Sequence, residues 1–369
     1  RTSRGLGDVY KRQDLYLEDK DEYQIIFNDV SSKGAFIMQK ELEDFEKLLC
    51  EFTGSNYALG MGNATDALEI GLSAGDLEKE TEVIISSHTM IATASAIVVA
   101  GAIPVPIDCG NDHMIDVSKI ESAITEKTSA IMPTQLNGRV CEMDTIFDIA
   151  DKHNLQVYED SAQALGAKYK NKTAGTFGIA GCISFYPAKT MGCFGDGGAL
   201  LIQDEEVYKK AKLIRDHGRN EENKIVMWGR NSRLDNIQAA IMVYKMKNYE
   251  KWINRRREIA DMYNEGLSHI DNLLLPPPPE TNTHFDIFQN YEVQAEKRDE
   301  LKIFLSDNGI GSLQQWSGVA IHQCRELGFD QDLNATDEIF SKILMIPMNH
   351  LLSNDQVQHV INTLKRFYK

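Results

Sequence analysis

Residues 57–73 read YALGMGNATDALEIGLS. A short apolar run, 57–61, leads through the small residues Gly62, Asn63 and Ala64 into a helical pattern over 66–73. A strand, a tight turn and a helix in that order open a βαβ unit. The backbone N–H groups of Ala64, Thr65 and Asp66 lie at the expected helix start, where no intrahelical acceptor reaches them. The helix dipole there favours a negative charge. Taken alone, an ordinary capped helix start explains the same residues.

Working outward, β-rich runs at 83–86, 103–107, 130–133, 156–159, 182–186 and 198–202 are interleaved with helical patterns at 89–100, 117–124, 143–153 and 205–217. The alternation predicts an α/β fold with a mostly parallel central sheet flanked by helices. A long helix is expected from 235 to about 267, with Lys245, Lys247, Lys251, Arg255, Arg256 and Arg257 on a charged face. Four prolines, 276–279, read as a linker. A strand near 291–294 and helices near 298–308 and 355–367 then suggest a smaller C-terminal α/β unit. The expected division is 14–245 for a large domain and 246–369 for a small one.

The 369 residues carry 55 acidic and 39 basic side chains, a net charge of -16. Such a surface repels phosphate backbones and argues against a nucleic-acid partner. The hydrophobic share of 42% suits a folded chain. The six cysteines form no Cys-x-x-Cys pair and read as reduced thiols, which fits the cytoplasm. The nine histidines show no ligand spacing, so no metal site is expected. The most apolar stretch, 91–107, is broken by Thr93, Ser95, Gly101 and Pro104, so no membrane span is expected. The chain starts with Arg1, and residues 5–13 (GLGDVYKRQ) resemble translated sequencing-library adapter. Residues 1–13 are therefore expected to be a non-native leader.

Two further stretches carry chemistry. Residues 184–189 (SFYPAK) put Lys189 directly after a strand, followed by Gly192, Gly195, Gly197 and Gly198. A lysine in that position can form a Schiff base with an aldehyde cofactor; a solvated surface lysine is the plainer alternative. Residues 159–164 (EDSAQA) put Asp160 at the C-terminal end of another strand, where ligands of open α/β sheets bind. A carboxylate there can keep a pyridine nitrogen protonated; helix capping is the competing role.

An anion site, a carboxylate and a lysine in this order resemble the DegT/StrS family of sugar aminotransferases, which have the fold-type-I architecture of enzymes dependent on pyridoxal 5'-phosphate (PLP). Residues 36–46 (FIMQKELEDFE) resemble the family's opening helix, and 88–93 (HTMIAT) its second. The resemblance implies a PLP-dependent transaminase with Lys189 as Schiff-base residue and Asp160 on the pyridine nitrogen. Gln163 would lie against the ring or its 3-hydroxyl, with Ala64, Thr65 and Ser184 on the phosphate. Residues 229–235 (GRNSRLD) match the stretch from which an asparagine, here Asn231, reaches the neighbouring subunit's phosphate. A homodimer with shared sites follows from that likeness. Met90 stands where the family commonly has an aromatic residue on the cofactor face. Residues 309–323 (GIGSLQQWSGVAIHQ) lack the usual His-Tyr-Pro substrate stretch. Trp316 and His322 are candidates to line the sugar site, and Arg233 to support an anion.

The implied reaction takes an amino group from an amino acid, glutamate by resemblance, to a nucleotide-linked keto sugar, in the biosynthesis of cell-surface polysaccharide or a related sugar. A sugar dehydratase is the alternative within the family, but its relatives carry histidine where Lys189 stands. A non-catalytic PLP-binding regulator would bring a DNA-binding module, and none is evident. A nucleotide-sugar-binding protein without catalysis leaves the lysine and aspartate unexplained.

Overall fold

The computed structural model describes residues 12–279 and 283–369. Residues 1–11 of the expected leader lie outside this range. The strands Ile103–Ile107, Glu82–Ser86, Thr128–Met132 and Gln156–Val157 pair in parallel in that spatial order. After one residue the last strand resumes as Glu159–Asp160 and pairs in parallel with Ala180–Ser184. Beyond it come Gly198–Ile202 and Tyr57–Met61. Gly198–Ile202 runs antiparallel to both of its neighbours. The sheet is thus mostly parallel, with one reversed strand.

Helices cover both faces of the sheet, so its strands are apolar on both sides. One core gathers Phe45, Leu49, Ile84, Ile131, Phe185 and Leu201. The other gathers Leu59, Ile70, Val83, Ile97, Cys182 and Leu200. The helix Ala64–Ala74 belongs to the second face and is buried along most of its length.

A smaller antiparallel sheet orders Leu273–Leu274, Tyr291–Ala295 and Ile343–Ile346. It shares a third core with Tyr263, Leu301, Val357 and Leu364. The helix Asn236–Leu267 serves both parts of the chain. Met242, Tyr249, Trp252 and Ile253 pack into the large core, and Ile259, Ala260, Tyr263 and Leu267 into the small one. The expected boundary at residue 246 therefore falls inside a continuous helix.

The charged face expected for this helix needs correction. Lys245, Arg256 and Arg257 are buried. Lys245 donates to the carbonyl of Gly192. Arg256 donates to the carbonyls of Phe288 and Gln289, at 2.9 and 3.1 Å. Arg257 donates to that of Asp286 at 2.8 Å. The helix lies between two cores, and carbonyl oxygens take the place of water around the three cations.

Candidate active site

Strand Tyr57–Met61 ends at a turn in which the side chain of Asn63 accepts a 2.8 Å hydrogen bond from the amide of Asp66. This caps the helix Ala64–Ala74. By helix geometry the N–H groups of Ala64 and Thr65 have no intrahelical acceptor. Below the turn passes Gly198, flanked in the sheet by Met61 on one side and Ser184 on the other. A Cβ on Gly198 would stand 2.5 Å from the carbonyl carbon of Asn63. Only glycine lets the two backbones approach this closely. Ser184 and Thr65 thereby line one end of a cleft together with Asn63 and Ala64. Backbone N–H groups, two hydroxyls and a helix N-terminus form a donor set suited to a phosphate.

Asp160 lines the same cleft. Its Oδ2 accepts from the hydroxyl of Thr93 at 2.6 Å, and its Oδ1 from the amide of Ala162 at 3.1 Å. The Cys182 thiol donates to Oδ1 at 3.4 Å. Thr93 is itself met by Thr89 at 2.7 Å, and Thr134 donates to Thr89 at 2.8 Å. Three hydroxyls thus run in series to one buried carboxylate, and each strengthens the next.

Lys189 also lines it, in a turn closed by its own amide on the carbonyl of Tyr186 at 2.8 Å. Its side chain keeps part of its surface open to the cleft. Burial lowers the pKa of its amine, while the negative charge of Asp160, and then Cys182, pulls the other way. A neutral amine is a nucleophile and an ammonium is not. Lys189, Asp160, Ala64, Thr65, Met90, Gln163, Ser184 and Trp316 all line this cleft of about 470 Å³. Met90 is 44% exposed and immediately precedes the helix Ile91–Ala100. Gln163 accepts from the amide of Asn137 at 2.8 Å and donates to Gln315 at 3.2 Å.

Three expected residues lie elsewhere. His322 is fully buried, and its ring contacts the Ser87 hydroxyl at 2.7 Å and Asp337 at 3.0 Å. Both ring nitrogens are engaged inside the protein, so a substrate role for His322 is corrected to a structural one. Arg233 is paired with Asp216 at 2.6 Å, away from the cleft of its own chain. Asn231 is exposed, also outside that cleft, and bridges to Asp216 through the backbone. Sequence reading missed Thr89, Thr134, Gln289, Asn290 and Gln315, which also line the cleft. Thr89 sits inside the HTMIAT stretch, which was a usable signal. The others arrive from distant loops and carry no local pattern.

Residues 18–365 match the DegT/DnrJ/EryC1/StrS aminotransferase family. The chain belongs to this family. A pleiotropic regulatory protein of Geobacillus stearothermophilus is 34% identical, with 96% of each chain covered. The dTDP-3-amino-3,4,6-trideoxy-alpha-D-glucose transaminase of Streptomyces venezuelae is 33% identical, over 92% of this chain and 90% of the relative. Among solved structures, S. venezuelae DesV in complex with a ketimine intermediate has a TM-score of 0.94 at 31% identity, covering 100% of this chain and 99% of its own. The fold is that of the fold-type-I aminotransferases, and the lysine and carboxylate of this DegT/StrS member face one cleft.

Proposed function

We propose that this chain is a PLP-dependent aminotransferase that moves the amino group of an amino acid, glutamate by family likeness, onto a keto sugar linked to a nucleoside diphosphate. The observation that carries the reading is the placement of Lys189 and Asp160 in one cleft that a helix N-terminus also lines. The cleft volume falls in the range of ~300–1,000 Å³ usual for small-molecule sites. PLP, when bound, supplies an aldehyde that captures amines and a ring that withdraws electrons.

The helix start with Thr65 and Ser184 would hold the phosphate. Asp160, held in place by Thr93 and the amide of Ala162, would hold a proton on the ring nitrogen. Gln163 would meet the 3-hydroxyl, and Met90 would pack its thioether on the ring face. Lys189, whose amine burial biases toward the neutral form, would serve as the base that takes and returns the proton of the reacting carbon. A purely regulatory role, suggested by the name of the Geobacillus relative, gives the paired lysine and carboxylate no task.

A homodimer with shared sites belongs to the same proposal, with Asn231 reaching the partner's phosphate and Arg233 supporting the anion. The segment between Asp216 and Asn231 exposes Ile225, Val226 and Trp228, the last 97% exposed, and apolar exposure of this kind supports the proposed interface. We further propose a cytoplasmic setting, in keeping with six free cysteines. Among the described residues, no helix is long and apolar enough to cross a membrane. We also propose the division into a large cofactor-binding part, 14–245, and a small part, 246–369, with the long helix shared between their cores.

The deciding experiment incubates the protein with PLP, glutamate and a panel of nucleotide-linked 3-keto and 4-keto sugars. Amination of one of them is expected, and borohydride should fix the cofactor to the peptide containing Lys189. No aminated product, or a label on another lysine, overturns the reading.

A further inference from the structure

Behind the cleft wall lies a buried cluster that the reaction does not use. Glu292 Oε2 accepts from three groups: His88 Nε2 at 3.0 Å, His113 Nδ1 at 2.8 Å and Asn137 Nδ2 at 3.1 Å. The other nitrogen of His88 faces Trp316, whose indole Nε1–H donates to His88 Nδ1 at 3.1 Å. An indole nitrogen only donates. His88 Nδ1 is therefore the acceptor, and the proton of this imidazole sits on Nε2, directed at Glu292. The His88, His113 and Glu292 side chains are close enough to hold a metal ion. The tautomer that Trp316 imposes removes His88 Nε2 from the possible ligands. Burial lowers the pKa of His88, in accord with a neutral ring. Phe340 packs edge-on to that ring at 4.7 Å and fixes its plane.

The other end of the chain of contacts is under strain. Trp316 and Ser317 have φ angles of +54° and +59°, in the left-handed region that non-glycine residues avoid. Trp316 is half-buried and lines the cleft. Because its N–H is turned inward to His88, the indole meets the cleft with its carbon surface.

We infer that Glu292 and His88 are positioning residues that hold Trp316 as the wall against which the sugar ring of the substrate packs. Glu292 fixes the tautomer, His88 fixes the indole edge, and the strained turn keeps the ring in the cleft. The inference rests on the reading of the cleft as the site of a nucleotide-linked keto sugar. It assigns to Trp316 a specificity role, and to two buried residues a role exerted through it.

The test separates the two half-reactions. His88→Phe keeps the ring volume and removes the acceptor. It should raise KM for the sugar nucleotide about tenfold, the scale of one lost hydrogen bond to an ordered group. Its half-reaction with glutamate should keep the wild-type rate. His88→Asn places an amide oxygen near the position of Nδ1 and should restore most of the loss. Trp316→Ala should raise the same KM by at least as much as His88→Phe does. In 1H–15N spectra of tryptophan-labelled protein, the indole signal missing from Trp316→Phe should shift in His88→Phe and stay in His88→Asn. If His88→Phe does not fold, His88→Leu replaces it, since its smaller apolar side chain also offers Trp316 no acceptor. An unmoved indole signal and unchanged KM, or equal damage to both half-reactions, overturns the inference. A wild-type protein that aminates none of the sugars overturns the substrate reading instead, and the indole signal then still decides whether His88 holds Trp316.

Discussion

The hydroxyl of Thr93 donates a 2.6 Å hydrogen bond to Oδ2 of Asp160, and both groups are buried. The bond fixes the orientation of the carboxylate that would partner a protonated pyridine ring. Asp160→Asn should lower kcat by about a hundredfold to a thousandfold, the scale of a lost buried charge partner worth ~3–4 kcal/mol. Thr93→Val should cost about tenfold, since a hydrogen bond to a charged group is worth ~1.5 kcal/mol or more. Steady-state rates with circular dichroism as a fold control check both. A Thr93→Val enzyme as slow as Asp160→Asn would mean that Thr93 does more than support the carboxylate.

Burial sets the direction of the Lys189 titration. Its pKa is lowered by desolvation and partly restored by Asp160 and then Cys182. As pH falls through the lowered value, the amine gains a proton and loses its lone pair. Capture of PLP by the apo-protein should therefore speed up with rising pH and level off below ~10.4, the value of a free lysine. Asp160→Asn should move that inflection further down, because the aspartate charge raises it. Stopped-flow absorbance measures both curves. An inflection at or above ~10.4 would contradict a desolvated amine.

The shared site is tested by complementation. Lys189→Ala and Asn231→Ala proteins, each impaired, should form hybrid dimers when mixed, and each hybrid holds one site with both residues intact. Activity should rise above the sum of the parents, with subunit exchange followed by mass spectrometry. Exchange without a gain would assign Asn231 to its own chain.

His350 predicts an acid weakness. It is stacked on Trp252 at 4.6 Å, and among the described residues neither ring nitrogen has a hydrogen-bond partner, the Glu18 carboxylate standing 3.8 Å from Nε2. Burial, with the nearby charges of Arg256, Lys245 and Lys251, holds its pKa down at about 3. Between pH 6.5 and about 3 the unfolded chain binds a proton there and the folded chain does not, so stability falls as pH falls. On going from pH 8 to pH 5 this group alone should remove about 2 kcal/mol. His350→Phe keeps the stacking and lacks the titration, so its advantage over wild type should grow by that amount at pH 5. Urea melts at the two pH values measure it, and an advantage independent of pH would rule out the protonation account.

Much of this was legible in the residues, for identifiable reasons. The runs 57–61 and 103–107 have the same bounds in the structure, because each is a short apolar segment cut off by turns on both sides. Lys189, Asp160, Ala64 and Thr65 each sit within a few residues of a strand end, so a local motif announces them. Strand direction is not written in such a pattern, and the reversal of Gly198–Ile202 appears only in its pairing. Lys245, Arg256 and Arg257 looked solvated because charge is a strong local signal, whereas the carbonyls that receive them come from other segments. Trp316 and His322 stand six positions apart in one stretch, yet one lines the cleft and the other is sealed by Ser87 and Asp337. The bond from Trp316 to His88 spans 228 positions of chain, beyond the reach of any local motif.

The helix Asn236–Leu267 limits how this chain can be recombined with its relatives. A crossover placed at residue 246 would take Tyr249, Trp252 and Ile253 from one parent and seat them in a large core built by the other. A crossover beyond Leu267 would do the same to the small core, which takes Ile259, Ala260, Tyr263 and Leu267 from the helix. Chimeras meant to exchange sugar preference should place their junction between Ile253 and Ile259, so that each half of the helix keeps the core it fills.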